Sequence, residues 1–292
     1  MRIDLHTHSD RSDGTDKPGE LMARAVAAGI DIVALTDHDT AVGWEDARAA
    51  AVDIGVGFVP GMEISCKHAG RGVHLLAYLL DPDYPPLAEE LRRVLDGRTA
   101  RLPTTLEGLR TVGVDLTVDD VRAVSGHAEA TGRPHVADAL VAKGVVRDRA
   151  EAFDRFLSKG RPGYVDRYGA DLFEMVRMVA AAGGVSVVAH PWGRHSRKSL
   201  DVDVLAALKD AGLTGVEVDH QDHDRAARSE LRHAAATLGL VQTGSSDFHG
   251  EGKLDCPLGV NTTEPEQFEK LLAAADKAAS ASGRESPSPV LP

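Results

Sequence analysis

Short apolar runs alternate with helically spaced ones through both ends of the chain. Residues 3–8 form a β-prone run that ends in His6-x-His8, and a polar loop rich in Asp and Gly follows over 9–17. Pro18 can open a helix, Leu21, Met22, Ala25 and Val26 give it an apolar face, and Gly29 can close it. Residues 32–36 are continuously apolar and partly β-branched, which suits a strand buried on both faces. A helix over 42–54 leads to apolar runs at 58–59, 62–65 and 74–80. This strand and helix rhythm predicts a parallel sheet or barrel.

At Asp81 the rhythm breaks, marked by Pro82, Pro85 and Pro86. From Leu87 to Leu157 apolar residues recur at helical spacing with no strand between them, as in Leu106-x-x-Leu109 and Phe153-x-x-Phe156. The pattern predicts a helical insertion over 82–170 in a discontinuous α/β unit of 1–81 and 171–278. Alternation resumes with a helix to Ala182, a strand at 185–189, a helix at 204–211, a strand at 215–218, a helix at 225–238 and a strand at 240–243. Residues 279–292, rich in Ser, Pro and Gly, read as a disordered tail.

The 292 residues fit one large domain with an insertion, and 42% hydrophobic content supports a core built mainly from Ala, Val, Leu and Gly. No apolar run approaches the roughly 20 residues needed to span a bilayer. No targeting segment precedes the first strand, so a cytoplasmic protein without a membrane partner is expected. Two cysteines, Cys66 and Cys256, are too few for a disulfide scaffold or a thiolate metal site. A formal net charge of −12 argues against duplex nucleic acid as a partner. It leaves a small phosphorylated substrate open, because bound metal ions can create a local positive site.

The histidines and acids give that possibility its place. His6 and His8 alternate along a strand and so share one face. His38 follows the second strand, Glu63 ends the third, His190 follows the strand at 185–189, and Asp247 and His249 follow the last. His74 begins its strand, and a hairpin through residues 67–72 would return it beside Glu63. Active sites of α/β barrels collect at the carboxyl ends of strands. A single buried histidine more often bonds the backbone than a metal, but metal-capable side chains at five or six strand ends point to one centre. His68, His195 and His233 lie in loop or helical-surface contexts, and His127 in a turn. His220 and His223 follow a strand and fit ordinary burial as well as they fit the mouth. Neither a G-x-S-x-G elbow nor a Walker loop is present.

These motifs, in order, resemble the polymerase and histidinol phosphatase (PHP) family: His6-x-His8, Ser12-Asp13-Gly14, Thr36-Asp-His-Asp39, Pro60-Gly-x-Glu-Ile-Ser65, Ala189-His-Pro191 and Ser246-Asp-Phe-His249. The resemblance implies a distorted (β/α)7 barrel holding two or three divalent ions, Mn, Fe or Zn. It assigns His6, His8, Glu63 and Asp247 to one ion and Glu63, His74 and His190 to a second. A third would use Asp13, His38 and His249. It further implies a phosphoesterase in which a metal-bridging hydroxide attacks phosphorus and no protein side chain is the nucleophile. Within the insertion, Thr131-Gly-Arg-Pro-His135 resembles the branch acting on AMP, nucleoside 3′,5′-bisphosphates and short RNA ends. Arg133 and His135 would then bind the substrate phosphate. The alternatives are histidinol phosphate as substrate, a non-catalytic polymerase-accessory module, or amide hydrolysis by a similar barrel. Oligomeric state is not legible.

Overall fold

The computed structural model describes residues 1–193 and 197–292, so His195 lies outside the described residues. Seven strands form a nearly closed barrel in the order β1 (Ile3–Asp4), β2 (Ile32–Leu35), β3 (Gly57–His68), β4 (Arg71–Tyr78), β6 (Val185–Val188), β7 (Gly215–Asp219) and β8 (Val241–Gly244). A two-residue strand, β5 (Ala170–Asp171), pairs beside β3. The barrel approaches closure where Thr7 bridges Phe248 in parallel and the His8 N–H donates to the Phe248 carbonyl at 2.8 Å. The expected parallel pairing holds for β1 to β3 and for β6 to β8. β4 runs antiparallel to both of its neighbours, as the hairpin between β3 and β4 requires.

Strand alternation sorts the core into two layers. In β2, Val33 and Leu35 join the cluster that packs against helices, whereas Ile32 and Ala34 join a second cluster with Ile3, Leu5, Val59, Tyr78 and Val187. The outer cluster receives Leu21, Met22 and Ala25 of α1 (Pro18–Ala27), Ala47 and Ala51 of α2 (Trp44–Ile54) and Met175, Val176 and Val179 of α8 (Leu172–Ala181). Two further helices, α9 (Val202–Asp210) and α10 (Arg225–Leu238), complete it with Leu205, Leu208 and Leu231.

The helical insertion packs in two parts. Its first helix, α3 (Pro85–Ala100), places Leu87, Leu91 and Val94 in the barrel's outer core. The other four are α4 (Leu102–Arg110), α5 (Val118–Val124), α6 (Arg133–Ala142) and α7 (Arg149–Ala152), and a π-helical turn follows over Phe153–Leu157. They bury a core of their own around Leu109, Val121, Leu140 and Leu157.

One expectation is corrected at the carboxyl end. Residues 279–292 are not a free tail: α11 (Pro265–Ser282) runs into them, and Val290 exchanges two 2.8 Å backbone hydrogen bonds with Phe58. Arg284 pairs with Asp81 at 2.9 Å and stacks over the Tyr84 ring. Ser and Pro content signalled disorder, but a few specific backbone contacts outweigh composition in so short a segment. Among the described residues no helix is long and apolar enough to cross a membrane.

Candidate metal centre

All nine side chains singled out as ligands converge at one end of the barrel, in three overlapping groups. His6, His8, Glu63 and Asp247 form one, and Glu63, His74 and His190 a second. Asp13, His38 and His249 form the third, which His8 joins as a fourth member. Glu63 is the hub. Its Oε1 lies 2.8 Å from His74 Nδ1, 3.3 Å from His190 Nε2 and 3.4 Å from His6 Nε2, while Oε2 lies 3.3 Å from His8 Nε2 and 3.2 Å from His38 Nδ1. Register explains the hairpin ligand: Ser65 pairs with His74, so His74 stands beside the strand position two residues beyond Glu63. His190 and Asp247 both adopt positive φ, at 30° and 53°, a conformation uncommon for residues other than glycine and concentrated at functional sites.

The hydrogen bonds outside the centre fix which ring nitrogen faces inward. His6 Nδ1 donates to Glu217 Oε1 at 3.1 Å, and His249 Nδ1 donates to the Asp247 carbonyl at 2.8 Å. Ser12 gives its hydroxyl proton to Asp37 at 2.6 Å, so its oxygen accepts from His8 Nδ1 at 3.4 Å. Neutral imidazoles held this way direct the Nε2 lone pair into the centre. There those lone pairs meet carboxylates: Asp247 Oδ1 at 3.3 Å from His6 and 3.4 Å from His8, and Asp13 Oδ1 at 3.4 Å from His249. Facing lone pairs repel unless a cation lies between them. His74 Nδ1 adds a buried nitrogen that makes no hydrogen bond despite its closeness to Glu63. The donor set, imidazole and carboxylate with no thiolate, therefore fits Mn, Fe or Zn.

Charge in the pocket follows the same logic. Burial opposes ionisation of Asp13, Glu63 and Asp247, yet the surrounding histidines, with Lys253 at Asp247, hold all three carboxyls well below the usual range. Burial also opposes a proton on His8, but hydrogen bonding to Asp247 and Glu63 and the field of Asp13 raise it to about 9. In the metal-free protein a proton there does the work of a cation. His38 goes the other way, driven by burial to about 3.

One contributor is not evident from the sequence, and two that the sequence leaves open join it. Glu217, fully buried in β7, accepts from His6 through Oε1 and from the His190 N–H through Oε2 at 2.8 Å. Its signal was a lone acid within an apolar strand. His220 is fully buried and lies 3.4 Å from Asp247 Oδ2, and His223 accepts from the Trp192 N–H, so both support the centre from outside. His127 and His233 are exposed and His68 is half-buried, away from the nine. Asp39 receives Arg98 at 2.7 Å and the Ser65 N–H at 2.6 Å, which ties α3 to the barrel mouth.

The two expected substrate residues separate. Arg133 lines a small pocket with Arg98, Arg101, Thr105 and Thr131, its guanidinium against the Phe153 and Tyr164 rings and donating to the Leu157 carbonyl. His135 differs from expectation. Its Nδ1 accepts the Gly132 N–H at 2.8 Å, so the proton sits on Nε2, which donates to the Ser12 carbonyl at 2.8 Å. Both ring nitrogens are thus engaged by the backbone, and no donor remains for a phosphate. Three arginines line this pocket and Arg167 acts on them: burial and the fields of Arg167, Arg98 and Arg133 press Arg101 below its ordinary value, and burial and Arg98 do the same to Arg167. Arg98 also lines the neighbouring small cleft together with Asp13, His38 and His135.

Comparison with known proteins agrees with this geometry. A family model described as the PHP domain matches residues 4–96. A 3′,5′-nucleoside bisphosphate phosphatase of Chromobacterium violaceum is 34% identical over 86% of this chain and 88% of its own length. A 5′-3′ exoribonuclease of Haemophilus influenzae is 32% identical over 85% of this chain and 90% of its own. A solved structure of a candidate metal-dependent phosphoesterase from Bifidobacterium adolescentis superposes with a TM-score of 0.88 at 34% identity, covering 93% of this chain and 96% of that one. With the barrel, its clustered ligands and relatives matched along most of their length, the chain belongs to the PHP domain family.

Proposed function

We propose that the nine clustered side chains hold two or three divalent ions and that the protein is a phosphoesterase releasing phosphate from nucleotides, nucleoside 3′,5′-bisphosphates or short RNA ends. The observation that carries the reading is the inward-facing set of Nε2 lone pairs opposed to the carboxylates of Glu63, Asp247 and Asp13. Bound ions at such a centre supply Lewis-acid charge and an activated water at neutral pH. Three divalent ions against three carboxylates leave about three positive charges, enough to attract a phosphate dianion into an acidic protein.

The chain's own residues provide the rest. Glu217, Ser12 and the Asp247 carbonyl orient the imidazoles, so the ligands need no rearrangement to bind. Arg101, which has no carboxylate partner among the described residues, stands with Arg133 in the pocket next to the cleft. A buried Arg101 beside other arginines fits a second phosphate or a nucleotide backbone, and planar guanidinium groups favour phosphate oxygens. The relatives' activities on bisphosphates and RNA support this choice over histidinol phosphate.

The test is a phosphate-release panel with metal-replete protein: AMP, a nucleoside 3′,5′-bisphosphate, a 5′-phosphorylated short RNA and histidinol phosphate. Release from a nucleotide substrate, with KM raised at least tenfold in Arg101→Ala, is the expected result. Release from histidinol phosphate alone, or an Arg101→Ala variant with unchanged KM for every nucleotide, would overturn the assignment.

A further inference from the structure

The third group of ligands differs from the other two in what holds it. Glu63 and His74 belong to the barrel wall, and His6 and His190, just beyond β1 and β6, are braced from it by Glu217 of β7. Asp13 and His249 instead sit on two loops, residues 9–17 and 247–253, that meet a side chain of the helical insertion. That side chain is Arg149, at the start of α7.

All three nitrogens of its guanidinium are engaged. Nε and Nη2 form a fork on Asp138 of α6 at 2.6 and 2.7 Å, and Nη1 donates to the Asp13 carbonyl at 3.0 Å. The side chain is 13% exposed, and the Asp138 pair keeps it charged against burial. On its other side it packs on the second loop: a methyl group at Gly252 would run into the guanidinium and displace it from the bonds just named. The loops also grip one another, the Glu251 N–H donating to Thr15 Oγ1 at 2.9 Å. The insertion adds a second bond next to the ligand, from His135 Nε2 to the Ser12 carbonyl.

We infer that Arg149 is a positioning residue for the metal position formed by Asp13, His38, His249 and His8, so that the helical insertion, and not the barrel alone, assembles that position. The inference rests on the metal-binding reading above. It makes a selective claim for Asp13, whose carbonyl Arg149 holds directly; Asp247 is reached only through the shared loop, and among the described residues Arg149 makes no hydrogen bond or ion pair with Glu63, His74 or His190. Asp138 sets the direction of the fork, and Arg149 transmits it to the Asp13 backbone and to the loop behind His249. Partners at one remove from a metal commonly change its affinity by about 10–100-fold.

Metal-stripped full-length protein is titrated with Mn²⁺ and free ion is followed by electron paramagnetic resonance. Asp13→Asn identifies the class of sites concerned by removing it. Arg149→Ala is expected to weaken that same class by roughly 10–100-fold and to leave the remaining affinities within about twofold. Arg149→Lys keeps a charge on Asp138 but has no fork, and falls between. Unchanged affinities in Arg149→Ala, or an equal loss in every class, would overturn the inference. Should Arg149→Ala fail to fold by circular dichroism, Asp138→Asn releases the fork without opening a cavity, and the same selective loss is expected; wild-type binding there overturns it. Wild-type protein that binds no Mn²⁺ would overturn the metal centre itself, a different outcome from full wild-type binding with an indifferent Arg149→Ala.

Discussion

Replacing Glu217 by glutamine tests how the centre is organised before any ion arrives. The carboxylate accepts two hydrogen bonds from residues just beyond β1 and β6, His6 Nδ1–H at 3.1 Å and the His190 N–H at 2.8 Å, and it is fully buried. Glutamine has the same shape but only one acceptor oxygen, and both partners are donors. One of them must face an amide NH2. A buried donor left unpaired costs about 1–3 kcal/mol, which in a chain of this size lowers Tm by roughly 2–5 °C. If His6 is the partner that loses its acceptor, its tautomer is no longer fixed and metal affinity falls about 10–100-fold. Calorimetry of the metal-free protein reads the first effect and competition with a chelator the second. A Glu217→Gln variant with wild-type Tm and wild-type resistance to chelation would refute the reasoning, because it would show that neither bond matters.

Two further outcomes follow from the same structure. His8 is raised to about 9, so in the metal-free protein its contribution to stability is complete below its ordinary value near 6.5 and is lost as pH rises through 9. Metal-free Tm should fall across that window while metal-loaded Tm does not, and Mn²⁺ binding at pH 7.5 should release a proton, measurable by calorimetry in buffers of different ionisation enthalpy. Deleting residues 284–292 removes the paired Val290–Phe58 hydrogen bonds and the Arg284–Asp81 pair. Because Phe58 lies near the amino end of β3, the deletion should cost roughly 1–3 kcal/mol in chemical denaturation with kcat/KM unchanged.

The ligands were legible in the sequence because strand ends follow from apolar runs, and His6, His38, His190 and Asp247 each stand just beyond one; Glu63, expected at the end of its strand, lies inside β3, which continues to His68 to pair with β4. His74 required a hairpin, and its presence rested on a glycine-rich turn that the β3 and β4 register bears out. What stayed hidden depended on who meets whom across the fold. Glu217 is one acid in one strand until His6 and His190 arrive on either side of it. His135 sits in a motif suited to phosphate, but the Ser12 carbonyl reached by folding takes the proton that a phosphate would need. Likewise Arg98, Arg101 and Arg167 are dispersed in sequence and become a cluster only when α3 and the segment before β5 pack beside α6. The tail was misjudged for a related reason: composition reports average tendency, and Val290 is anchored by one partner.

The central claim, that a metal centre built from these nine side chains hydrolyses phosphate esters, is tested most directly by measuring metal content and phosphate release from nucleotides on the same samples. Wild-type protein should carry at least two divalent ions per chain and release phosphate, while His6→Ala, Asp247→Ala and chelator-stripped wild type should release none. Undiminished release by either variant, or by wild type shown to contain no metal, would contradict it.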